Sequence, residues 1–563
     1  MNTPLIRIRD LSFSYPSSPA PVLDHINLDV FEGEWISIMG PTGAGKSTLS
    51  LCLNGLIPNM QTGKREGTVF VCDEDTSKVS IPYLSSKVGV IFQDFDTQLL
   101  ASQAELEIAF GMENFCIKRN IMKERVHELL QRFSLFKYAN RHPAELSGGE
   151  RQRLAIASVL ALSPRVLVLD EPTTDLDPFN KEKLFSIVRE MCGDRLTIIW
   201  IDHEPELAFG SDRFIVMAEG KIAHNTKFRV FFGDTGLAEG YGIKQPEIPC
   251  LFKDKDAADV PVSYDEAMGK IINSKGGFIW KLSEKKQRSF IAERIKASSG
   301  KPVIQAEDLE YIYPNGTKAL KGIDIEIKEG EFVAVIGQNG SGKTTLAKHL
   351  NGLLKPTSGR IIINREDARS KSIYELSKGV GFCFQNPDNQ IFASSVLEEV
   401  SFGPRNYQLP SSVIERYVAE ALESVNLRGY EAKDPFVLTK GERQRIAVAS
   451  VLSIKPDIMV FDEPTTGLDY KQMTGMMELI KRLNEEGRTI IIITHNMWVA
   501  ARYAKRCIVM ADGRILLDGS TREVFSKETM LKEASLAPPD IVRLGNALGV
   551  TALSLEEFLY CLE

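Results

Sequence analysis

The chain has 563 residues, 43% hydrophobic and 25% charged, with 42 Gly and 26 Pro, which is ordinary globular composition and excludes a disordered, collagen-like or disulfide-scaffold protein. At roughly 100–250 residues per domain, this length implies at least two domains, each able to bury its own core. Its 68 Lys and Arg are outnumbered by 75 Asp and Glu, so a net charge of −7 argues against nucleic acid as the main partner.

Eight cysteines lie far apart with no CxxC pair, which disfavours a zinc ribbon, an iron–sulfur cluster or a thioredoxin-like site and fits reduced, packed thiols. The N-terminal MNTPLIRIRDLSFSYP has no long apolar stretch, so no signal peptide is expected. No run approaches the ~18–20 uncharged apolar residues of a membrane span, so any membrane role is expected to be peripheral.

In chain order, Trp35–Met39 reads as a buried strand that runs into Gly40-Pro41-Thr42-Gly43-Ala44-Gly45-Lys46-Ser47-Thr48. The polar-periodic stretch Ile121–Phe133 reads as a helix, and Leu146-Ser147-Gly148-Gly149-Glu150 stands before another. Val166–Leu169 and Thr197–Ile201 read as buried strands around a helical Lys181–Met191, and Asp170-Glu171 and His203 follow the two strands. Buried strands alternating with helices predict α/β domains with a largely parallel sheet.

The pattern then repeats. Gly337-Gln338-Asn339-Gly340-Ser341-Gly342-Lys343-Thr344-Thr345 matches the first glycine-rich segment. Gln93 to Gln385, Gly149 to Gly441, Asp170 to Asp462 and His203 to His495 are each 292 residues apart, whereas Lys46 to Lys343 is 297. The five extra residues of the first copy are expected in the polar stretch around Gly63–Ser80. Val230-Phe231 with Pro246-Glu247-Ile248 parallels Val524-Phe525 with Pro539-Asp540-Ile541, so the repeat is domain-sized. Residues 1–256 and 301–563 are the expected domains, joined by a linker at 257–300 with some helix at Phe290–Ile295.

Both glycine-rich segments fit GxxxxGK[ST] between a strand and a helix. Glycines let backbone N–H groups wrap phosphate oxygens without a Cβ clash, and the helix that follows brings its positive end to the same point. A single match arises by chance on the order of a few per cent of the time; two at a repeat offset do not. Lys46 and Lys343 are the expected β/γ-phosphate partners, and the hydroxyls of Ser47 and Thr344 the expected Mg2+ ligands. Asp170 and Asp462, each after four apolar residues, are the expected second metal partners. The carboxylates of Glu171 and Glu463 are placed to orient and polarise an attacking water.

With Leu146-Ser147-Gly148-Gly149-Glu150 about twenty residues before Asp170, the chain resembles ATP-binding cassette (ABC) ATPases over nearly its full length. The resemblance implies two tandem ABC-type P-loop NTPase domains. Each would have a RecA-like core with a parallel sheet, an antiparallel β subdomain, a helical signature subdomain and a C-terminal helical extension. It implies ATP and Mg2+ as ligands. It further implies Tyr15 and Tyr313 as adenine-stacking aromatics, with a plain core role as the alternative. Gln93 and Gln385 would be Q-loop residues that touch Mg2+, and His203 and His495 would contact the γ-phosphate. Asp177 and Asp469 match the D-loop aspartate.

In this family two cassettes sandwich two ATPs head to tail. The signature residues Ser147 and Gly149 of one copy, and Thr439 and Gly441 of the other, then complete the opposite site. The second signature reads Leu438-Thr439-Lys440-Gly441-Glu442, with Lys440 in place of the glycine. By that pairing it would face the Lys46/Glu171 site, and the intact signature the Lys343/Glu463 site. Functional asymmetry with the Glu463 site dominant is the expectation.

Gln385-Asn-Pro-Asp-Asn-Gln390-Ile-Phe-Ala, then Val396 to Pro404, closely resembles the ATPases of energy-coupling factor (ECF) importers, which include cobalt-type importers. The implied partners are a transmembrane T component, docked at the Q-loop grooves of both cassettes, and a small S component that binds a vitamin or metal ion. No nucleic acid is expected. The implied location is the cytoplasmic face of a prokaryotic-type cell membrane. The alternative is an ABC-F ribosome-associated factor, for which a long, strongly charged helical linker and two intact signatures would be expected.

Overall fold

The computed structural model describes residues 3–16, 18, 20–174, 176–192, 195–234, 236–252, 259–272, 280–294 and 300–563. The chain divides into two compact units, residues 1–267 with Asp469–Lys471, and residues 268–468 with 472–563.

In the first unit, β1 (Ile6–Ser14), β2 (Leu23–Val30), β4 (Lys64–Val71) and β5 (Glu74–Asp75) form an antiparallel sheet in the order β2-β1-β4-β5. A six-stranded sheet joins β3 (Trp35–Met39), β6 (Val88–Ile91), β7 (Val166–Asp170), β8 (Thr197–Ile201), β9 (Arg213–Ala218) and β10 (Lys221–Thr226). Its order is β10-β9-β3-β8-β7-β6, and every pairing is parallel except β10 with β9. Every residue of β3, β7 and β8 is buried, as a parallel sheet covered on both faces demands.

One apolar core lies between the two sheets, around Ile6, Ile8, Ile36, Ile38, Val69 and Val168. The other joins the six-stranded sheet to the helices Ala104–Asn114, Arg119–Arg132 and Gly148–Leu160 through Trp35, Ile108, Leu130, Leu154 and Trp200. A third cluster, with Met39, Phe214, Phe228 and Phe232, seats the short helices after β10.

The second unit repeats this plan. Strands β11 (Pro302–Ile312), β12 (Lys318–Lys328), β14 (Ser358–Ile363) and β15 (Glu366–Asp367) pair in the order β12-β11-β14-β15. The six-stranded sheet runs β16-β17-β18-β13-β19-β20. Its strands are β13 (Phe332–Ile336), β16 (Val380–Cys383), β17 (Ile458–Asp462), β18 (Thr489–Ile493), β19 (Arg506–Ala511) and β20 (Arg514–Ser520). The helices Val396–Asn406, Ser411–Ser424 and Lys440–Leu452 take the places of their first-unit counterparts. After β20 come Thr521–Ser526, Glu528–Glu533, Asp540–Ala547 and Leu555–Cys561.

The five extra residues lie at or just before the start of the expected stretch. Gly55 and Gly352 face equivalent leucines, Leu84 and Leu376, at a spacing of 297, while Gly67 and Gly359 make the same approach to Asp10 O and Asp308 O at 292. The insertion therefore falls between Gly55 and Gly67, where the first unit has a short helix at Leu56–Asn59 and a longer β4.

Of the segment 257–300, residues 257–258, 273–279 and 295–299 lie outside the described residues. Within it, helix Tyr264–Ile272 is tied by Glu266 to Arg229. The helix expected at Phe290–Ile295 begins earlier and spans Glu284–Arg294. It rests on the C-terminal segment of the second unit: Gln287 donates to Thr551 O at 2.7 Å, ahead of the last helix, and Phe290 packs on Tyr560 within it. Among the described residues no helix is long and apolar enough to cross a membrane.

Candidate functional site

Each unit carries one phosphate cradle at the C-terminal end of its parallel sheet. Gly40 and Gly337 follow β3 and β13 so tightly that a Cβ on either would sit 2.0 or 2.3 Å from the carbonyl oxygen of Met217 or Met510. Gly43 (φ +83°) and Gly340 (φ +79°) adopt the left-handed conformation and face open space, as a loop that wraps a ligand requires. Gly45 and Gly342 are left-handed caps to the helices Lys46–Leu53 and Lys343–Leu350. Lys46 Nζ donates to Gly40 O at 2.8 Å and Pro41 O at 3.0 Å; Lys343 Nζ donates to Gly337 O and Gln338 O, both at 2.8 Å. Each ammonium is thus folded back over its own loop. Burial lowers the Lys46 pKa, against the pull of Glu171 and Asp170.

The acidic pair sits where β7 and β17 end. Asp170 and Asp462 are buried, and burial together with the neighbouring glutamate pushes each carboxyl up to about 6. Thr344 Oγ1 donates to Asp462 Oδ1 at 3.3 Å, and the neighbouring Ser47 hydroxyl works against the rise at Asp170. Asp170 Oδ1 has no hydrogen-bond partner despite its burial. A buried acceptor without a donor, beside a hydroxyl and a phosphate cradle, is the donor set for a hard divalent cation.

Glu171 and Glu463 both adopt φ +50°, an uncommon conformation for a non-glycine residue, and each donates its N–H to the neighbouring strand, Ile201 O at 2.8 Å and Ile493 O at 2.9 Å. That turn aims the two carboxylates back toward the cradles. Glu171 accepts from Gln93 Nε2 at 2.8 Å and meets His203 Nε2 at 2.9 Å. Glu463 meets His495 Nδ1 at 2.9 Å, through the other ring nitrogen, and accepts the His495 N–H at 3.4 Å. Burial raises the Glu463 pKa, but the interactions with His495 and Lys343 outweigh it and hold its carboxyl below the ordinary range.

The structure therefore brings Lys46, Ser47, Gln93, Asp170, Glu171 and His203 together in one unit, and Lys343, Thr344, Asp462, Glu463 and His495 in the other. Tyr15 and Tyr313 stand at the edge of the same helices, half-buried, their hydroxyls 3.3 Å from Thr48 Oγ1 and 3.0 Å from Thr345 Oγ1. Their rings pack edge-on against Phe13 and Tyr311. Ser147 and Thr439 cap the signature helices with capping boxes to Glu150 and Glu442, and Gly149 and Gly441 lie in the first turn.

Sequence reasoning missed the residues that brace the glutamine loops. Glu107 Oε2 accepts the N–H groups of Leu100 and Ala101 at 2.8 and 2.7 Å, and Glu399 Oε2 accepts those of Phe392 and Ala393 at 3.0 Å. Gln98 and Gln390 accept the N–H groups of Phe92 and Phe384. Arg151 pairs with Asp96 at 2.7 Å and donates to Leu146 O at 2.8 Å; Arg443 does the same with Asp388 at 2.7 Å and Leu438 O at 2.6 Å. All of these recur at the 292-residue offset, which is the signal that would have found them.

Residues 23–174 and 320–466 match the ABC transporter family model. A provisionally named ABC transporter ATP-binding protein of Caldanaerobacter subterraneus subsp. tengcongensis is 47% identical over 99% of this chain and 98% of its own. Provisionally named relatives from Methanosarcina mazei (37% identical, 96% and 93% covered) and Enterococcus faecalis (32%, 98% and 96%) align over similar lengths. Among solved structures, cbiO1 from Clostridium perfringens, part of the ABC transporter complex cbiONQ, is 38% identical. That match covers 44% of this chain and 99% of that chain, with a TM-score of 0.39. With a duplicated family match and full-length relatives behind the two cradles, the chain belongs to the ABC transporter family, as an ATP-binding subunit that hydrolyses ATP with Mg2+.

Proposed function

We propose that this chain is the motor subunit of an ECF-type importer, coupling ATP binding and hydrolysis to uptake of a vitamin or transition-metal ion through separate membrane subunits. In this reading the cassettes are residues 1–256 and 301–563, tethered by 257–300. The observation that carries it is a matched pair of exposed apolar patches, one beside each glutamine loop. Phe392 (60% exposed) and Phe402, with ring centroids 4.7 Å apart, form one; exposed Leu100 (71%) and Phe110 stand at the equivalent positions of the first unit. Large apolar side chains held out to water by a buried carboxylate, Glu107 or Glu399, suit apolar elements of a partner. A transmembrane T component is the partner we assign to both patches, with the S component bound to it. The site of action is then the cytoplasmic face of the membrane.

On this reading we assign the roles within each cassette as follows. Lys46 and Lys343 would leave their loop carbonyls to neutralise the β/γ-phosphates. Ser47 with Asp170 and Gln93, and Thr344 with Asp462 and Gln385, would hold Mg2+, which when bound neutralises phosphate charge. Glu171 and Glu463 would take the proton of the attacking water, and His203 and His495, already against those carboxylates, would hold them toward it. Tyr15 and Tyr313 would carry the adenine, and the signature residues Ser147, Gly149, Thr439 and Gly441 would face phosphate.

Detergent extraction of native membranes and capture of the full chain tests this reading. Recovery of a stoichiometric integral membrane protein is expected. Ribosome association that survives high salt, without a membrane partner, would replace it with the ABC-F reading.

A further inference from the structure

Lys440 has a partner of unusual kind within its own unit. Thr439 caps the helix Lys440–Leu452, its Oγ1 accepting the Glu442 N–H at 3.3 Å while Glu442 Oε2 accepts the Thr439 N–H at 2.9 Å, so the backbone of Lys440 is fixed. From that anchor the half-buried side chain runs over Gly467. A Cβ on Gly467 would lie 2.4 Å from Lys440 Nζ, 3.3 Å from Cε and 3.6 Å from Cδ. Gly467 itself is left-handed, at φ +69°. Among the described residues Lys440 forms no ion pair, and a cation in the first turn of a helix opposes the helix dipole. Its seat is therefore set by packing on the glycine.

The 292-residue offset gives Gly148 and Asp175 as the first-copy counterparts of Lys440 and Gly467. The exchange is reciprocal: glycine in the signature goes with a side chain in the loop, and lysine in the signature goes with glycine in the loop. A Cβ on Gly148 would meet nothing within 4 Å, so space at the signature position does not by itself dictate the residue there. Gly467 lies in the loop that leaves Glu463 through Pro464-Thr465-Thr466.

We propose that Lys440 and Gly467 are a matched pair in which the lysine is a positioning residue, its stem clamping the loop that begins at Glu463. The inference rests on the reading of Glu463 as the carboxylate that acts on water. The altered signature is then a clamp that joins the signature helix to the loop of its own cassette. Loss of the lysine frees a left-handed glycine four residues from Glu463. A side chain at 467 displaces the ammonium. Restoring the first copy's combination removes the collision with the ammonium, and aspartate is among the L residues that best tolerate a left-handed backbone.

Steady-state ATPase of the full chain, comparing wild type with K440G, G467D, K440G/G467D and E463Q, tests this. K440G and G467D are each expected to lower kcat about 3- to 10-fold with the KM for ATP within about twofold of wild type. The double variant is expected to recover to within about twofold of wild type. Thermal melts of the same proteins check that each is folded. Losses that multiply in the double variant, or singles without effect, would overturn the pair. Full activity in E463Q would overturn the reading of Glu463 instead.

Discussion

Asp170 and Asp462 end a buried strand, and the next residue turns through a left-handed conformation to bring a glutamate back against a histidine. Strained backbone of this kind costs stability and persists where the surrounding structure overdetermines it. Here the bond from each glutamate N–H to the adjacent strand does so. The two units differ in how the glutamate is held. Glu171 shares its carboxylate with Gln93, whereas Glu463 faces both the ring and the N–H of His495. On the proposed reading the Glu463 site would be the one completed by the intact signature. E463Q is therefore predicted to cut steady-state ATPase by about 100-fold or more and E171Q by less than about 10-fold. Equal losses would contradict the asymmetry.

Lys46, Asp170, Glu171 and their repeats were legible in the sequence because phosphate and metal chemistry fixes both residue type and spacing. Glu107 was not. A carboxylate that accepts two backbone N–H groups six and seven residues earlier looks, in sequence, like any acid in a helix's first turns. The direction in which His203 and His495 use different ring nitrogens is likewise set by packing and has no sequence signature.

At the scale of elements, each glutamine loop is tied twice. Arg151 and Arg443 join its aspartate to the carbonyl of the signature's leading leucine, and the buried Glu107 and Glu399 pin its apolar end. These ties give a physical route from the exposed patch to the signature helix within one unit. E399A would leave two N–H groups, one of them fully enclosed, without an acceptor. It is predicted to destabilise the second unit by about 2–4 kcal/mol, read from denaturant melts. Arg443 is largely covered, its side chain 19% exposed against 43% for Asp388, and it also donates to Leu438 O, so R443A is predicted to cost about 1–2 kcal/mol while loosening the patch from the signature.

A second difference between the copies lies under the cradle. His349 is fully buried, its Nδ1 2.7 Å from Thr345 O, where the first copy has Cys52. Burial lowers its pKa below the ordinary 6.5. The unfolded chain thus takes up a proton that the folded unit resists, so stability is present above about pH 6.5 and is lost as pH falls toward the lower folded pKa. H349C is predicted to flatten this part of the acid limb; an unchanged pH profile of stability between 7 and about 5 would contradict it. The strands and their alternation with helices could be read in advance from apolar runs. The position of the five-residue insertion could not, since only the paired approaches of Gly67 to Asp10 and Gly359 to Asp308 locate it.

For the whole molecule, the proposed function gives a membrane partner to a duplicated ATPase of this family that has no membrane-crossing helix among its described residues. The sequence carried the duplication, the cradles and the family. The surface proposed to meet a partner was only implied by resemblance, because outward-facing Leu100 and Phe392 are single apolar residues in polar loops. Their exposure, their equivalence by the repeat offset and their bracing by buried glutamates are properties of the fold. The measurement that tests the central claim most directly is capture of the integral membrane partner by L100D, F392D and the double variant. Each single variant is predicted to weaken capture, and the double variant to abolish it, with the melting temperature kept and ATP still bound. Undiminished capture by the double variant would contradict the account.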